Sequence, residues 1–505
     1  MTALYSLSEI RAIEHAAKRM LPAGTLMQRA GQAAANLGLT MLPHGSADRS
    51  VLILAGPGDN GGDALEVAAR LASTGIPLTV LLFADLARQS ADAQQALARA
   101  QQNRAVFVET TSAIQLLSRR WPLIVDGLFG IGLTRPITGE LYKVVEQVNR
   151  LGSPVLSLDI PSGLDTDSGN VVGQPGIAIR AAQTITFIAD KPGLHTGSGR
   201  DHTGNVVVES LGIDPWLYTA PQVQLNEVAL FSTYLKRRLH NSHKGSYGDV
   251  AIVGGAEGMA GAAVLAANAA AHCGAGRSYV ALVGPALAYD SAHPELMFRQ
   301  ARQMDLTRPT LVIGPGLGTS VESAELLDKA LESSRDIVID ADALNLIAQD
   351  MRLRQRLVAR AGASILTPHP LEAARLLGNS SAAIQADRLG AACTLARDLN
   401  AIVILKGSGS IITQPLGNLI INPTGNPALA TAGSGDVLAG ICGALLAQGW
   451  PAWETALAAT WMHGKAADLL VQQGIGPIGV AASELIAPIR GLLNRLTIKH
   501  DKMQH

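Results

Sequence analysis

Sulfur, aromatic rings and charge are all scarce in this chain of 505 residues. Its three cysteines, Cys273, Cys393 and Cys442, stand far apart and form no CxxC. That argues against a disulfide framework or a thiolate metal site and leaves them to core packing. Charged residues are only 16%, with 40 Lys+Arg against 41 Asp+Glu. Split near residue 222, the two parts carry −2 and +1, so neither has the basic excess that binding a nucleic-acid backbone requires. The first twenty residues carry charges throughout and no apolar h-region, unlike a secretory signal. The most apolar stretch, 258–271, is too short to span a bilayer. A soluble, cytoplasmic protein with no nucleic-acid or membrane partner is expected. A Walker A motif is absent, which disfavours a P-loop site.

What the chain has instead is 48% hydrophobic residues and 52 glycines. This is a composition of small side chains, close backbone approach and tight turns, able to bury large cores. Short β-branched runs alternate with helical patterns. They lie at Val51–Ala55, Leu78–Phe83, Leu123–Asp126, Val155–Asp159 and Thr184–Ala189 in the first part. In the second part they lie at Val250–Gly254, Tyr279–Val283, Leu311–Gly314, Ile337–Asp340, Ser364–Thr367 and Ile402–Leu405. The alternation predicts α/β architecture with parallel sheets covered on both faces, hence three αβα layers. The length asks for at least two domains. The pattern weakens between about 195 and 245, which sets the expected domains at 1–220 and 221–505. In such folds ligands collect where strands lead into helices.

In the first domain, Val51–Ala55 runs into Gly56-Pro57-Gly58-Asp59-Asn60-Gly61-Gly62-Asp63 and then a helix. Glycines at such a turn bring backbone N–H groups to an anion, and the bland alternative is a turn with Asp63 as a helix cap. Two further strand ends carry carboxylates: Asp126, leading into Gly127–Pro136, and Asp159, leading into Ile160-Pro161-Ser162-Gly163-Leu164-Asp165. With Asn60 and Ser162 they supply oxygen ligands for a hard cation, or a carboxylate to move a proton. With no Ser–His pair and no Cys, isomerisation suits the site better than acyl transfer.

Together, DNGGD, VDGLFGIGLTRP and DIPSGLD resemble the NAD(P)H-hydrate epimerases over residues 1–215. The resemblance implies a Rossmann-like domain that interconverts the R and S epimers of hydrated NADH and NADPH (NADHX and NADPHX). By it, Asp59, Asn60, Gly61, Gly62 and Asp63, with Gly130, Ile131, Gly132, Leu133, Thr134, Arg135 and Pro136, hold the dinucleotide. Asp159 contacts the substrate as the acid–base group, and Asn60, Asp126 and Ser162 bind potassium. Ala64 stands where the family usually has Gly, and Gln28 where an acid is common.

In the second domain, Asn422–Asp436 ends in Ala432-Gly433-Ser434-Gly435-Asp436 before an apolar helix. Amides opening that helix would point at an anion. Asp436 beside them could take a hydroxyl proton while a phosphate rests on the amides; the alternative is a plain first-turn acid. Strand 402–405 ends in a second glycine-rich turn, Lys406-Gly407-Ser408-Gly409-Ser410, which has a cation for phosphate charge. His369 lies between two prolines, a turn residue or a ligand contact.

HKGSYG (243–248), MAGAAVLAA (259–267), SAHPELM (291–297), GPGLG (314–318), DADALN (340–345), TPHPLEAARLL (367–377), KGSGSII (406–412) and NPTGNPALATAGSGDVLAG resemble the NAD(P)H-hydrate dehydratases of the ribokinase-like superfamily. The resemblance spans about 235–500 and implies a ribokinase-like domain using ADP as co-substrate with Mg²⁺. By it, Lys406, Gly407, Ser408, Gly409, Ser410 and Gly435 bind the nucleotide, while Ala262, Gly316, His369 and Asp436 contact the hydrated substrate. Leu371, Ala428 and Ala432 each replace a usual Gly. The whole chain then reads as an epimerase fused to a dehydratase, and its Ala/Gly-rich helices suit a homo-oligomer. The rival is a ribokinase-like small-molecule kinase with a non-catalytic N-terminal binding module.

Overall fold

The structure, a computed structural model, describes residues 2–504 apart from 44, 46, 86–88 and 286. The chain folds as two compact units, Thr2–Val223 and Gln224–His505. No helix among the described residues is long and apolar enough to cross a membrane.

The first unit is built on β1 (Val51–Ala55), β2 (Leu78–Leu82), β3 (Val106–Val108), β4 (Leu123–Gly127), β5 (Val155–Leu158), β6 (Gln183–Phe187) and β7 (Asn205–Glu209). They run in the order 3-2-1-4-5-6-7, all parallel. Five helices bear on the site: α1 (Leu7–Lys18), α2 (Thr25–Met41), α3 (Asp59–Ser73), α4 (Ala91–Gln102) and α5 (Gly139–Leu151). Strand β1 is buried on both sides, which is why it reads as an unbroken apolar run. Val51, Ile53 and Ala55 pack with Ala34, Leu65 and Ala96 from α2, α3 and α4. Leu52 and Leu54 point the other way, onto Val144, Val145 and Val148 of α5. Those two cores are the outer contacts of a three-layer αβα sandwich. The chain reverses its winding between β1 and β4, whose ends are level because Ala55 pairs with Gly127. That is the crevice where doubly wound sheets bind ligands.

The second unit contains β8 (Asp249–Gly254), β9 (Arg277–Leu282), β10 (Met297–Gln300), β11 (Thr310–Ile313), β12 (Ile337–Ile339), β13 (Ser364–Leu366), β14 (Ile402–Leu405), β15 (Ile411–Thr413) and β16 (Leu419–Ile421). They run in the order 16-15-14-13-12-11-8-9-10. Its helices include α6 (Ala260–His272), α7 (Val321–Leu331), α8 (Ala341–Gln349), α9 (Pro370–Leu377), α10 (Arg388–Leu399), α11 (Ser434–Ala447) and α12 (Ala452–Gln472). Val250 and Ile252 face α6, α11 and α12, whereas Ala251 and Val253 face α7 and α8. This too is a three-layer sandwich, with its reversal between β8 and β11.

The expected strands are present, and their ends differ for reasons in the backbone. β5 stops at Leu158 because Asp159 takes a left-handed φ of +64°, and β6 stops at Phe187 because Ile188 takes +70°. β3, β7, β10, β15 and β16 lie outside the runs expected from the sequence. β15 pairs antiparallel with β14, and β16 with β15. The turn Lys406–Ser410 is therefore a hairpin turn between antiparallel strands, not a strand-to-helix loop.

Candidate functional site

In the first unit a cavity of about 780 Å³ opens at the reversal point. It is lined by Asp59, Asn60, Asp63, the whole segment Gly130–Pro136 and Asp159, so the structure gathers most of the expected dinucleotide residues. Gly61 and Gly62 do not line it. They are there for packing: a Cβ on Gly61 would collide with the carbonyl of Gly56, and one on Gly62 with Met27. Helix α3 starts at Gly58 with no side-chain cap, leaving its first N–H groups for a ligand. Ala64 is turned into the core, its methyl filling the place that a Cβ on Gly127 would need. It does not crowd the loop. Gln28 also lies off this cavity, in a separate shallow depression with Arg29 and Asn36.

Beneath the cavity Asp126 is fully buried. Its Oδ1 accepts from the Ser162 hydroxyl at 2.6 Å and Leu128 N–H at 3.3 Å; Oδ2 accepts from Ser157 Oγ at 2.8 Å and Ser162 N–H at 3.0 Å. Burial pushes this carboxyl upward, opposed by those hydrogen bonds. Asn60 is buried with neither Oδ1 nor Nδ2 hydrogen-bonded among the described residues. With its one proton on Asp126, Ser162 Oγ accepts from Phe129 N–H at 2.8 Å and lies 3.1 Å from Phe129 O.

Asp159 sits at the cavity wall with Lys191 Nζ 2.8 Å from its Oδ1. Lys191 is 0% exposed, and the sequence reading missed it; a lysine in a polar loop looks like a surface residue. Asp63 carries no such partner. Burial, and then the charge of Asp159, push its carboxyl well above the usual carboxylate range.

In the second unit, α11 begins at Gly433, which has φ +88° and supplies no side-chain cap. Asp436 lies in the first turn, and burial, with the charge of Asp340 adding to it, raises it to about 7. Lys406 Nζ lies 3.0 Å from Asp340 Oδ1 and 4.0 Å from Glu372 Oε2. A Cβ on Gly435 would lie 3.1 Å from that ammonium, so the hairpin cation and the helix start stand side by side. Burial disfavours the charged lysine, but Asp340 and Glu372 outweigh it and hold Lys406 above its ordinary value.

The remaining expected residues divide. Ala262 and Gly316 adjoin, since a Cβ on Gly316 would sit 3.3 Å from that of Ala262. His369 caps α9, its Nδ1 accepting from Leu371 and Glu372 N–H. Burial and the nearby Lys406 lower its pKa, leaving a neutral ring. Gly407 and Ser408 are exposed on the hairpin turn, whereas Gly409 is buried. Ala428 is core, and Leu371 is exposed.

Two further residues, both in the second unit, carry no signal in the sequence. Arg388 is buried and donates to the carbonyls of Leu405, Lys406 and Gly409, holding the turn from behind. His463 is buried with Nε2 unpartnered among the described residues, and burial pushes it down to about 4. Neither carries a local signal, because each acts on a segment distant in sequence. No group of three or more His, Cys, Asp or Glu side chains converges to hold a metal among the described residues.

With this geometry in view, the comparisons with known proteins are informative. Residues 250–490 match the family profile described as NAD(P)H-hydrate dehydratase. Residues 23–193 match the one described as YjeF-related protein N-terminus. A bifunctional NAD(P)H-hydrate repair enzyme of Coxiella burnetii is 36% identical over 98% of this chain and 100% of its own length. Its namesake in Escherichia coli is 37% identical over 93% of this chain and 89% of its own. A solved ADP/ATP-dependent NAD(P)H-hydrate dehydratase from Bacillus subtilis is 28% identical, covering 55% of this chain and 100% of its own, with a TM-score of 0.48.

Proposed function

We propose how two sites divide one repair task in a chain that belongs to the family of bifunctional NAD(P)H-hydrate repair enzymes. The protein repairs hydrated NADH and NADPH: the first unit epimerises the R and S hydrates, and the second dehydrates the S epimer. What carries this reading is a full-length relationship joined to a half-buried Asp436, raised to about 7, at an uncapped helix start beside Lys406.

In the second unit Asp436 takes the proton of the ring C6 hydroxyl. The hydroxyl oxygen attacks the terminal phosphorus of ADP, and AMP leaves. The C6–O bond then breaks to release phosphate, which carries off the C5 proton as hydrogen phosphate, and the ring double bond is restored. A base with a pKa near 7 is suited to this, being both ionised and strong enough at neutral pH. Lys406 and the first amides of α11 balance the phosphate charge, while Arg388 keeps the turn Lys406–Ser410 in place. Ala262, Gly316 and His369 line the substrate side. Mg²⁺ neutralises phosphate charge when bound. With no group of three or more ligating side chains converging among the described residues, it fits here as an ion that would arrive with the nucleotide phosphates.

In the first unit Asp159 is the acid–base group at the hydroxyl-bearing carbon, and the protonated Asp63 in the same cavity can return a proton. A potassium ion suits the buried, unpartnered Asn60 and the uncompensated charge of Asp126. Asn60, Asp126 and Ser162 would hold it, the last two being hydrogen-bonded to each other in its absence. Bound, it supplies positive charge under the dinucleotide loop. A homo-oligomer working in the cytoplasm is the accompanying expectation, and light scattering reads its size.

The test supplies acid-hydrated NADH, Mg²⁺ and either ADP or ATP and follows recovery of reduced-nicotinamide absorbance. Full recovery with ADP requires both activities. Recovery stalling at the S fraction removes the epimerase reading, and none with either nucleotide favours the kinase alternative.

A further inference from the structure

Lysine is almost never fully buried unless its charge is met. Lys191, in the loop after β6, is 0% exposed and spends its ammonium entirely on oxygens. Nζ reaches Thr186 Oγ1 at 2.5 Å, Phe187 O at 3.0 Å, Ala189 O at 3.2 Å and Asp159 Oδ1 at 2.8 Å. Three of these oxygens belong to the strand end and turn 186–189, whose Phe187 and Ile188 line the epimerase cavity.

Asp159 is restrained from three sides. Its backbone is left-handed at φ +64°, a conformation few non-glycine residues hold without support. Its N–H donates to Ile185 O at 2.7 Å. Its Oδ1 also accepts from Phe187 N–H at 3.3 Å. Oδ2 accepts no hydrogen bond from the described residues.

We propose that Lys191 is the positioning residue of the epimerase site: it ties down Oδ1 of Asp159 so that Oδ2 alone meets the substrate hydroxyl. This rests on Asp159 being the acid–base group. Lys191 touches no substrate; it fixes the carboxylate plane and the adjoining cavity wall together. Removing it frees the side chain to rotate, and small misplacements of a reacting group cost rate rather than affinity.

The test uses the full-length chain and pure R hydrate, with R-to-S conversion followed chromatographically. Lys191→Met should lower kcat about 100-fold and leave KM within about threefold. It should leave dehydration of the S hydrate unchanged. Asp159→Asn should lower kcat at least as far, and the double variant no further, because the two residues act as one unit. A wild-type kcat in Lys191→Met overturns the proposal. So does a raised KM at unchanged kcat, or losses that multiply in the double variant. Unimpaired turnover by Asp159→Asn instead overturns the acid–base reading beneath it. Should Lys191→Met not fold, Thr186→Val decides. This near-isosteric change removes one ammonium partner and should lower kcat several-fold with KM unchanged; an unaltered kcat refutes the proposal.

Discussion

Replacing Asp436 by Asn separates what this carboxyl does for catalysis from what it costs the fold. Its pKa is raised from 3.8 to about 7, first by burial and then by the charge of Asp340. A shift of about 3 units corresponds to an upper bound of about 4 kcal/mol between the protonation states. Partial solvent access reduces the usable figure to about 2 kcal/mol. The sign follows from proton counting. Between pH 4 and pH 7, roughly, the folded protein keeps a proton that the unfolded chain has released. The stability contributed by the neutral acid is thus fully present below about pH 4 and lost as pH rises through about 7. Asparagine has nothing to titrate. Urea unfolding, followed by the fluorescence of Trp450, Trp453 and Trp461 in this unit, should therefore show the variant gaining on wild type by about 2 kcal/mol between pH 4.5 and pH 8. In the same series, wild-type kcat/KM for dehydration should rise with pH to a plateau with a midpoint near 7, and the variant should bind ADP but not turn over. A variant no more stable than wild type at pH 8, or a stability difference independent of pH, refutes the burial argument. Normal turnover removes Asp436 from the reaction.

Other consequences are more local. Gly407 has φ +143°, and a Cβ there would lie 2.6 Å from Arg388 Nη1; Gly407→Ala should raise KM for ADP about tenfold, by about 1.4 kcal/mol of binding, without altering epimerisation. Asn60→Ala should abolish any stimulation of epimerisation by K⁺ over Na⁺ while leaving dehydration untouched; an unchanged ion response refutes the cation reading. Ala64→Gly should cost about 1 kcal/mol in thermal unfolding through lost helix propensity yet leave KM for the R hydrate unaltered, since Ala64 faces the core. An altered KM would return that residue to the binding loop.

The central strands were legible because a strand buried on both faces must be apolar throughout, as Val51–Ala55 and Ile402–Leu405 are. Val106–Val108 is a half-exposed edge, and Ile411–Thr413 is three residues long; neither leaves a periodic signal. Most chemistry-bearing residues were legible as well, because loops such as Asp59–Asp63, Gly130–Pro136 and Gly433–Asp436 are contiguous and each must bring its own glycines and acids to a helix start.

Sequence alone determined the two αβα sandwiches, the strand-end loops and the residue types able to bind phosphate and move a proton. Tertiary structure decided which of those residues line a cavity and which are packed away. It turned Gly61, Gly62 and Ala64 into packing contacts, made Lys406–Ser410 a hairpin turn and set Asp63 in a site where burial and Asp159 push its carboxyl upward. It also brought Lys191 to Asp159, and Arg388 to the back of the Lys406–Ser410 turn. The physical reason is common to all: burial and partnership are set by segments that meet only on folding, and the same Lys, Asp or Gly is spelled identically whether it meets solvent, a ligand or another side chain.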